Sequence, residues 1–235
     1  MKIFRALRIP RNKKLSQGKR AILDFLTDVV VIFAVVLLII KPFFFAPFRV
    51  QQDSMLPNIL DGEFIVVWKL PHKLGSAYER NDVVVFRPQI NDANYLIKRV
   101  IGLPGETIRF HQGYVWIRGA EESEFRQLSE SFLSARNLGN TCAASSQCTL
   151  AEKSKQVEIT VPAGSYLVLG DNRLASRDGR TCFLSSCSDE ALRFLSKSEI
   201  EGRALLAFAR FWRSNGQNNI SFKNIRLIGR PDEGN

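Results

Sequence analysis

The feature that most constrains this chain is an apolar run near its N-terminus, which follows a strongly basic segment. No side chain is polar from Val29 to Ile40, and the mostly apolar stretch covers residues 25–45, about the 20 residues that a membrane-spanning helix requires. Residues 1–20 hold eight of the 33 basic residues and no acidic residue. Because basic residues accumulate on the cytoplasmic side of a membrane, the pattern predicts an anchor with its N-terminus inside.

Two other interpretations of the apolar run are a buried helix of a soluble protein and a cleaved secretory signal. A buried helix does not account for the adjoining basic segment. A cleaved signal needs small residues before the scissile bond, but Phe44 is too large there, and Pro47 is a poor residue after such a bond. We therefore predict a basic cytoplasmic segment, an uncleaved anchor and an exported domain, at residues 1–20, 21–46 and 47–235.

The charge outside the basic segment is close to balanced. Without those eight residues, 25 basic residues remain against 23 acidic ones, so the net charge of +10 mainly reflects the N-terminal segment. This distribution argues against nucleic-acid binding. Hydrophobic residues make up 45% of the chain, which is enough to bury a core and excludes disorder as the overall state.

The four cysteines all follow the predicted anchor and form two close pairs, Cys142 with Cys148 and Cys182 with Cys187. An even number of cysteines in an exported domain favours disulfides. A zinc site is disfavoured because neither pair has the CxxC spacing and no His lies nearby. We predict two local disulfides and no metal, with free thiols as the alternative.

The exported part has the pattern of a mostly β domain, because short β-branched and aromatic runs alternate with Gly and Pro. It predicts a sandwich or a partly closed barrel, with a hairpin turn at His111-Gln112-Gly113 and one short helix at Asp189–Leu195 that Ser188 caps. The polar, Ser-rich residues 119–156 predict an insertion, a surface loop pinned by the first cysteine pair. The predicted strands are 63–68, 82–86, 95–101, 107–110, 114–117, 157–161, 166–169, 203–212 and 222–228.

The scarcity of histidine restricts the chemistry that this domain can perform. His72 and His111 are the only two, and both lie in predicted loops, so a Ser-His-Asp triad is disfavoured. A serine hydrolase without a His base needs another base, and lysine serves because burial lowers its pKa. Lys98 has apolar neighbours in a predicted strand; alternatively, it is an edge-strand lysine that points to solvent.

Four segments follow the anchor in order: PFRVQQDSMLPNILDGEFIVV, RNDVVVFRP, YLIKRVIGLPGE and GDNRLASRDGR. In register, they resemble the boxes of the bacterial type I signal peptidases, membrane-bound peptidases with a Ser/Lys dyad: the SMxPTL serine box, the RGDIVVF strand, the lysine box and the GDNRxxSxDSR box. The C-terminal stretch from Phe222 to Arg230 resembles the last strand of that family, so the resemblance covers nearly the whole chain.

The resemblance implies a serine endopeptidase that removes signal peptides from exported preproteins through an acyl-enzyme, without a cofactor. It makes Ser54 the nucleophile, Lys98 the general base and Ser176 the residue that orients the lysine amine. The Ser54 N–H forms the oxyanion hole, and Gln52, where the family often has Ser or Gly, either adds its amide or points away. The residues that support the site are Gly170, Asp171, Asn172, Arg173, Asp178 and Arg180.

The resemblance also implies a location, partners and a fold. The catalytic domain lies on the outer side of the bacterial cytoplasmic membrane, and its coiled, partly closed β-sheets follow a single transmembrane helix. Its partners are signal peptides and the lipid bilayer, with no nucleic acid and no metal. A shallow pocket that admits Ala-sized residues is predicted to have four walls: Val50, Met55, Leu96 and Ile97.

Three alternatives to a general signal peptidase remain. A peptidase of the same clan, of the conjugation or pilin type, serves one dedicated substrate and shares these boxes. Self-cleaving repressor-like proteins share the dyad but have no membrane anchor. A catalytically silent, anchored β-domain that binds exported peptides is disfavoured because Ser54, Lys98 and Ser176 are all present.

Overall fold

The computed structural model divides into two compact units, residues 1–43 and 44–235. In the first unit, helix α1 runs from Gln17 to Val35, and most of its apolar side chains are exposed. Among the described residues, no helix has both the length and the apolar content needed to cross a membrane. Several residues of the predicted anchor, 37 and 39–43, lie outside the described ranges. Those ranges are 17–36, 38, 44–69, 75–88, 94–143, 148–183, 189–214, 216–222 and 225–229.

The second unit is mostly β, as the sequence predicts. Its short helix α2 spans Leu150–Ser154. Its strands are β1 Phe45–Arg49, β2 Glu63–Trp68, β3 Val83–Phe86, β4 Leu96–Gly102, β5 Thr107–His111, β6 Tyr114–Arg118, β7 Arg126–Gln127, β8 Val157–Thr160, β9 Ser165–Leu169, β10 Phe194–Ser196, β11 Ile200–Ser214, β12 Gln217–Ser221 and β13 Arg226–Leu227.

The described strands form two antiparallel sheets. The larger sheet has the order β1-β2-β11-β3-β4-β9-β10, and β12 and β13 also pair with the long strand β11. The smaller sheet has the order β7-β6-β5-β8. Strands β3 and β4 are buried on both faces, whereas buried and half-buried residues alternate along β5 and β6, which therefore pack one face on the core.

The predicted hairpin between β5 and β6 is confirmed. Its two turn residues, Gln112 and Gly113, have φ values of 52° and 82°, as a two-residue type I′ turn requires. A Cβ at Gly113 would lie 2.1 Å from the Gly139 carbonyl oxygen, so this position also has no room for a side chain. The turn thus fixes the register that pairs His111 with Tyr114.

The predicted helix at Asp189–Leu195 is wrong. Residues Glu190–Arg193 form a 3₁₀ turn that the Asp189 side chain caps, and the chain then enters β10. Ser188, the predicted cap, is not among the described residues. Leu195 is buried and pairs with Tyr166 of β9. Residues whose local pattern favours a helix therefore form part of the edge strand β10 of the larger sheet.

The predicted strand at 222–228 is also wrong in its extent. Two short strands, β12 and β13, pair with different parts of β11, which runs for 15 residues. Strand β1, which begins at Phe45, was absent from the sequence prediction because its residues adjoin the apolar run. Strand β12 forms a hairpin with the end of β11, whereas β13 pairs with Leu206 and Ala207 of β11, and β1 pairs with β2.

The insertion at 119–156 is not only a surface loop. Leu128, Phe132 and Ala143 are buried and belong to the core cluster that includes residues of β5, β6 and β9. The predicted disulfide between Cys142 and Cys148 is present, and β7 adds the insertion to the smaller sheet. A few apolar residues spaced among serines give no periodic pattern, which is why their burial escaped the sequence prediction. Cys182 is also disulfide-bonded; Cys187 lies outside the described residues.

Candidate active site

The larger sheet brings the candidate catalytic segments together. Lys98 lies on β4, which is flanked by β3 and β9, and the next residue, Arg99, pairs with Leu169 at the end of β9. The segment that begins at Gly170 follows directly. The loop that carries Ser54 extends from β1, and its start is fixed by a hydrogen bond of 2.7 Å from the Val50 N–H to the Glu63 carbonyl oxygen.

The Lys98 amine donates a hydrogen bond of 2.7 Å to Ser54 Oγ and one of 2.8 Å to the Ile97 carbonyl oxygen. Lys98 is only 3% exposed, although its neighbour Ser54 remains half-buried at a cleft. The alternative of an edge-strand lysine that points to solvent is therefore wrong. The structure brings the predicted nucleophile and the predicted base into direct contact.

Burial lowers the pKa of the Lys98 amine from 10.5 to about 8, because the charged form loses its hydration. Asp178 and Asp171 act in the opposite direction, and Arg180 lowers the pKa further. The difference corresponds to about 3 kcal/mol against the charged form. Near pH 8 the amine can therefore both accept and return a proton.

The segment after β9 binds the backbone around Ser54. The Asn172 N–H donates to the Ser54 carbonyl oxygen at 3.0 Å, and its side-chain amide donates to the Asp53 carbonyl oxygen at 3.0 Å. A Cβ at Gly170 would lie 2.1 Å from Ser176 Oγ and 2.5 Å from the Ser54 carbonyl oxygen. Only glycine lets these two segments approach so closely.

Ser176 is buried beside Gly170, but its predicted hydrogen bond to Lys98 is not formed in this structure. Its Oγ is buried and has no hydrogen-bond partner among the residues that the structure describes. The Lys98 amine instead makes its two hydrogen bonds to the Ser54 hydroxyl and to its own neighbouring carbonyl, that of Ile97. The base-orienting role of Ser176 therefore stays a prediction.

Gln52 is exposed at the cleft, in an uncommon backbone conformation. Its φ is 76°, and its backbone N–H donates to Asp61 Oδ1 at 2.8 Å. Its side-chain amide makes no hydrogen bond to any other described residue. The carboxylate of Asp61 thus stabilises a left-handed conformation two residues before Ser54, and the side chain is free to turn towards a ligand.

Two buried ion pairs support the site. Arg99 binds Asp171 through two hydrogen bonds, of 2.9 Å from Nε to Oδ1 and 2.7 Å from Nη2 to Oδ2. Arg180 Nε donates to Asp178 Oδ1 at 2.9 Å, and the Gly170 N–H donates to Asp178 Oδ2 at 3.0 Å. Burial acts to raise the pKa of Asp178, but these partners hold it below its ordinary value.

A third buried ion pair joins the site to the insertion. The guanidinium of Arg173 donates to Glu130 Oε1 at 2.5 Å, to Thr141 Oγ1 at 2.6 Å and to the Gly170 carbonyl oxygen at 3.0 Å. Sequence analysis missed Glu130 and Thr141, as well as Arg99. No local signal marks the first two, and only the position of Arg99 next to Lys98 hinted at its role.

A cleft of about 410 Å³ opens beside the Ser54 hydroxyl. It runs between residues 48–54 and 94–98, and the rings of Phe48 and Tyr95 meet edge to face at 4.9 Å. Three of the predicted pocket residues line it: Val50, Leu96 and Ile97.

The prediction for the fourth pocket residue, Met55, is wrong. Met55 is 0% exposed and packs in the core with Ile59 and Ile65. The chain turns directly after Ser54, where the Leu56 N–H donates to the Asp53 carbonyl oxygen, and this turn directs Met55 away from the cleft. Within the described ranges, no group of His, Cys, Asp and Glu is arranged to hold a metal ion.

Comparison with known proteins gives consistent similarities. The family described as signal peptidase, peptidase S26, matches residues 22–212. A signal peptidase I of Bacillus licheniformis is 30% identical over 85% of this chain and 95% of its own length. A signal peptidase IB of Staphylococcus aureus is 30% identical over 83% and 91%. A crystal structure of a signal peptidase I from Enterococcus faecalis is 30% identical and covers 55% of this chain and 97% of its own, with a TM-score of 0.37.

Proposed function

Because the chain belongs to the signal peptidase family, peptidase S26, we propose that it is a serine endopeptidase that removes the signal peptides of exported preproteins. One observation carries the chemical part of this proposal. The buried Lys98 amine, whose pKa is lowered to about 8, lies 2.7 Å from Ser54 Oγ. A nucleophile and a base within hydrogen-bond distance are what acyl transfer requires.

The reaction begins when neutral Lys98 accepts the proton of Ser54 Oγ while that oxygen attacks the carbonyl carbon of the scissile peptide. A tetrahedral intermediate forms, and its oxyanion accepts a hydrogen bond from the Ser54 backbone N–H and, in our proposal, from the Gln52 amide. The Lys98 ammonium then donates its proton to the leaving amine, and an acyl-enzyme remains. Water, activated by the same amine, releases the signal peptide and regenerates the Ser54 hydroxyl.

The cleft suits an extended substrate. Residues 48–54 and 94–98 line its two sides, so the residues of a signal peptide that precede the cleavage site can pair with strand-like backbone while alternate side chains enter the floor. Val50 and Ile97 are almost fully buried and leave little depth there. We expect this shallow floor to favour substrate residues as small as Ala. Replacing Val50 or Ile97 with Ala should therefore allow cleavage after larger residues.

We propose that residues 21–46 anchor the domain in the bacterial cytoplasmic membrane, with residues 1–20 inside and residues 47–235 outside. The basic segment and the exposed apolar side chains of α1 support this topology. An anchor would hold the protease at the surface where signal peptides are embedded, which raises their effective concentration. Protease added outside spheroplasts should digest the C-terminal domain; full protection there, or recovery of the chain in the soluble fraction, would contradict the topology.

Cleavage of a purified preprotein by the full-length chain tests the function. We expect Ser54→Ala and Lys98→Ala to abolish cleavage and the double variant His72→Ala/His111→Ala to retain it, with the cleavage site read by N-terminal sequencing of the product. Cleavage that survives in Lys98→Ala would overturn the proposed mechanism. Activity on several unrelated preproteins would separate a general signal peptidase from an enzyme dedicated to one substrate.

A further inference from the structure

We propose that residues 128–141 of the insertion, which we call the bracket, position the three catalytic segments relative to one another without touching the substrate. The inference rests on the proposed function, since it assigns positioning residues for the same reaction. None of the bracket residues lines the cleft. Their side chains and backbone nevertheless contact the segments that carry Ser54 and Lys98 and the segment that begins at Gly170, which we call the last segment.

Phe132 lies at the centre of these contacts. Its ring lies 4.2 Å from the guanidinium carbon of Arg99, the residue after Lys98, and 5.9 Å from that of Arg173. Its carbonyl oxygen accepts a hydrogen bond of 2.8 Å from the Asn58 amide, which also donates to Asp171 at 2.7 Å. One bracket residue is therefore in contact with all three segments.

Glu130 and Thr141 fix the last segment through Arg173, whose guanidinium is fully buried. Asn137 adds a third contact, since its side-chain oxygen accepts the Leu174 N–H at 3.2 Å. Arg173 in turn donates to the Gly170 carbonyl oxygen, at the position where the last segment meets the Ser54 backbone. A displacement of the Arg173 side chain is thus transmitted to the nucleophile.

The charges of the three ion pairs show why the bracket is needed. In these ion pairs, all three arginines (Arg99, Arg173 and Arg180) come from the catalytic segments, but only two of the carboxylates do, those of Asp171 and Asp178. The carboxylate that balances the third arginine is Glu130, from the bracket. A buried charge without a partner is unfavourable, so loss of Glu130 should move Arg173 from its place.

Steady-state cleavage of a preprotein by the full-length chain tests the bracket with two pairs of variants. Glu130→Gln removes the charge and Glu130→Asp keeps it; Thr141→Val removes the oxygen that Arg173 binds and Thr141→Ser keeps it. We expect kcat to fall about tenfold or more in the first member of each pair, because small displacements of reacting groups slow acyl transfer strongly. KM should stay within about twofold, since the cleft lining is unchanged, and the second member of each pair should restore kcat.

Glu121→Gln is the matched control, because this exposed glutamate belongs to the same insertion but lies outside the bracket. Melting temperatures measured alongside show whether each variant is folded, and Thr141→Val carries the test if Glu130→Gln fails to fold. An unchanged kcat in folded Thr141→Val or Glu130→Gln would overturn the proposal, as would a rise in KM alone. If the unaltered chain does not cleave preproteins, the proposed function fails first and the bracket falls with it.

Discussion

Replacing Lys98 with Met should make the protein inactive but more stable near neutral pH. The amine is buried, and its pKa is lowered from 10.5 to about 8. The unfolded chain therefore binds a proton more tightly than the native protein, and the stability of the native protein rises with pH between these two values. Met has a similar length and no charge, so the variant lacks this pH dependence.

The magnitude follows from the two pKa values. Relative to a neutral side chain, protonation of Lys98 should lower the free energy of unfolding by about 3 kcal/mol at pH 7 and about 2 kcal/mol at pH 9, and should have almost no effect at pH 11. The Met variant also loses the hydrogen bonds to Ser54 and Ile97, but that loss does not vary with pH in the same way. The pH-dependent part of the difference between the two proteins therefore isolates the lysine.

Urea titrations of the full-length chain in detergent, at pH 7, 9 and 11, provide the measurement. The same substitution at the exposed Lys155 is the control for replacing a lysine with Met outside the site. We expect the stability of Lys98→Met relative to the unaltered chain to decrease by about 3 kcal/mol from pH 7 to pH 11. A difference that stays constant over this range would refute the argument that burial prepares the amine to act as a base.

Three further predictions concern the same site. Cleavage, measured as kcat/KM, should fall about tenfold per pH unit below pH 8, and a plateau that extends below pH 7 would contradict the lysine base. Asp171→Asn leaves the buried Arg99 without its carboxylate, so urea titration should show that the free energy of unfolding falls by about 3–5 kcal/mol. Because Asp171 raises the pKa of Lys98, the pH below which kcat/KM declines should also be lower in this variant. Gly170→Ala should abolish cleavage, because the added methyl group would meet Ser176 and Ser54, whereas Gly229→Ala, which meets nothing within 4 Å, should remain active.

Local patterns were sufficient to predict many of the strands. The runs that became β2, β3, β5 and β6 are short, β-branched and bounded by turn residues, and the Gln112-Gly113 turn set the register of one hairpin. The helix predicted at Asp189–Leu195 and the strand predicted at 222–228 were wrong because pairing with β9 and β11 decided their structure. Leu195 pairs with Tyr166, and Leu227 pairs with Leu206, so no short window of sequence contains both members of either pair.

The residues of the candidate site could likewise be predicted only in part. Resemblance of the boxes was enough to single out Ser54 and Lys98, and the structure places them in contact. The resemblance did not reveal that Met55 points into the core, because a turn of the backbone after Ser54 decides the direction of that side chain. It also gave no hint of Glu130, which is separated from its partner Arg173 by 42 intervening residues.

The sequence by itself determined the basic segment, the apolar run that follows it and the mostly β character of the domain, because these properties depend on residue type and short-range order. Its resemblance to the family boxes also singled out Ser54 and Lys98 as the residues that we propose for catalysis. Only the tertiary structure decided that Lys98 is buried deeply enough for its pKa to fall, and that Glu130 and Phe132 of the insertion contact Arg173 and Arg99. Burial and charge balance are properties of the assembled sheets, because they depend on which distant segments surround a side chain.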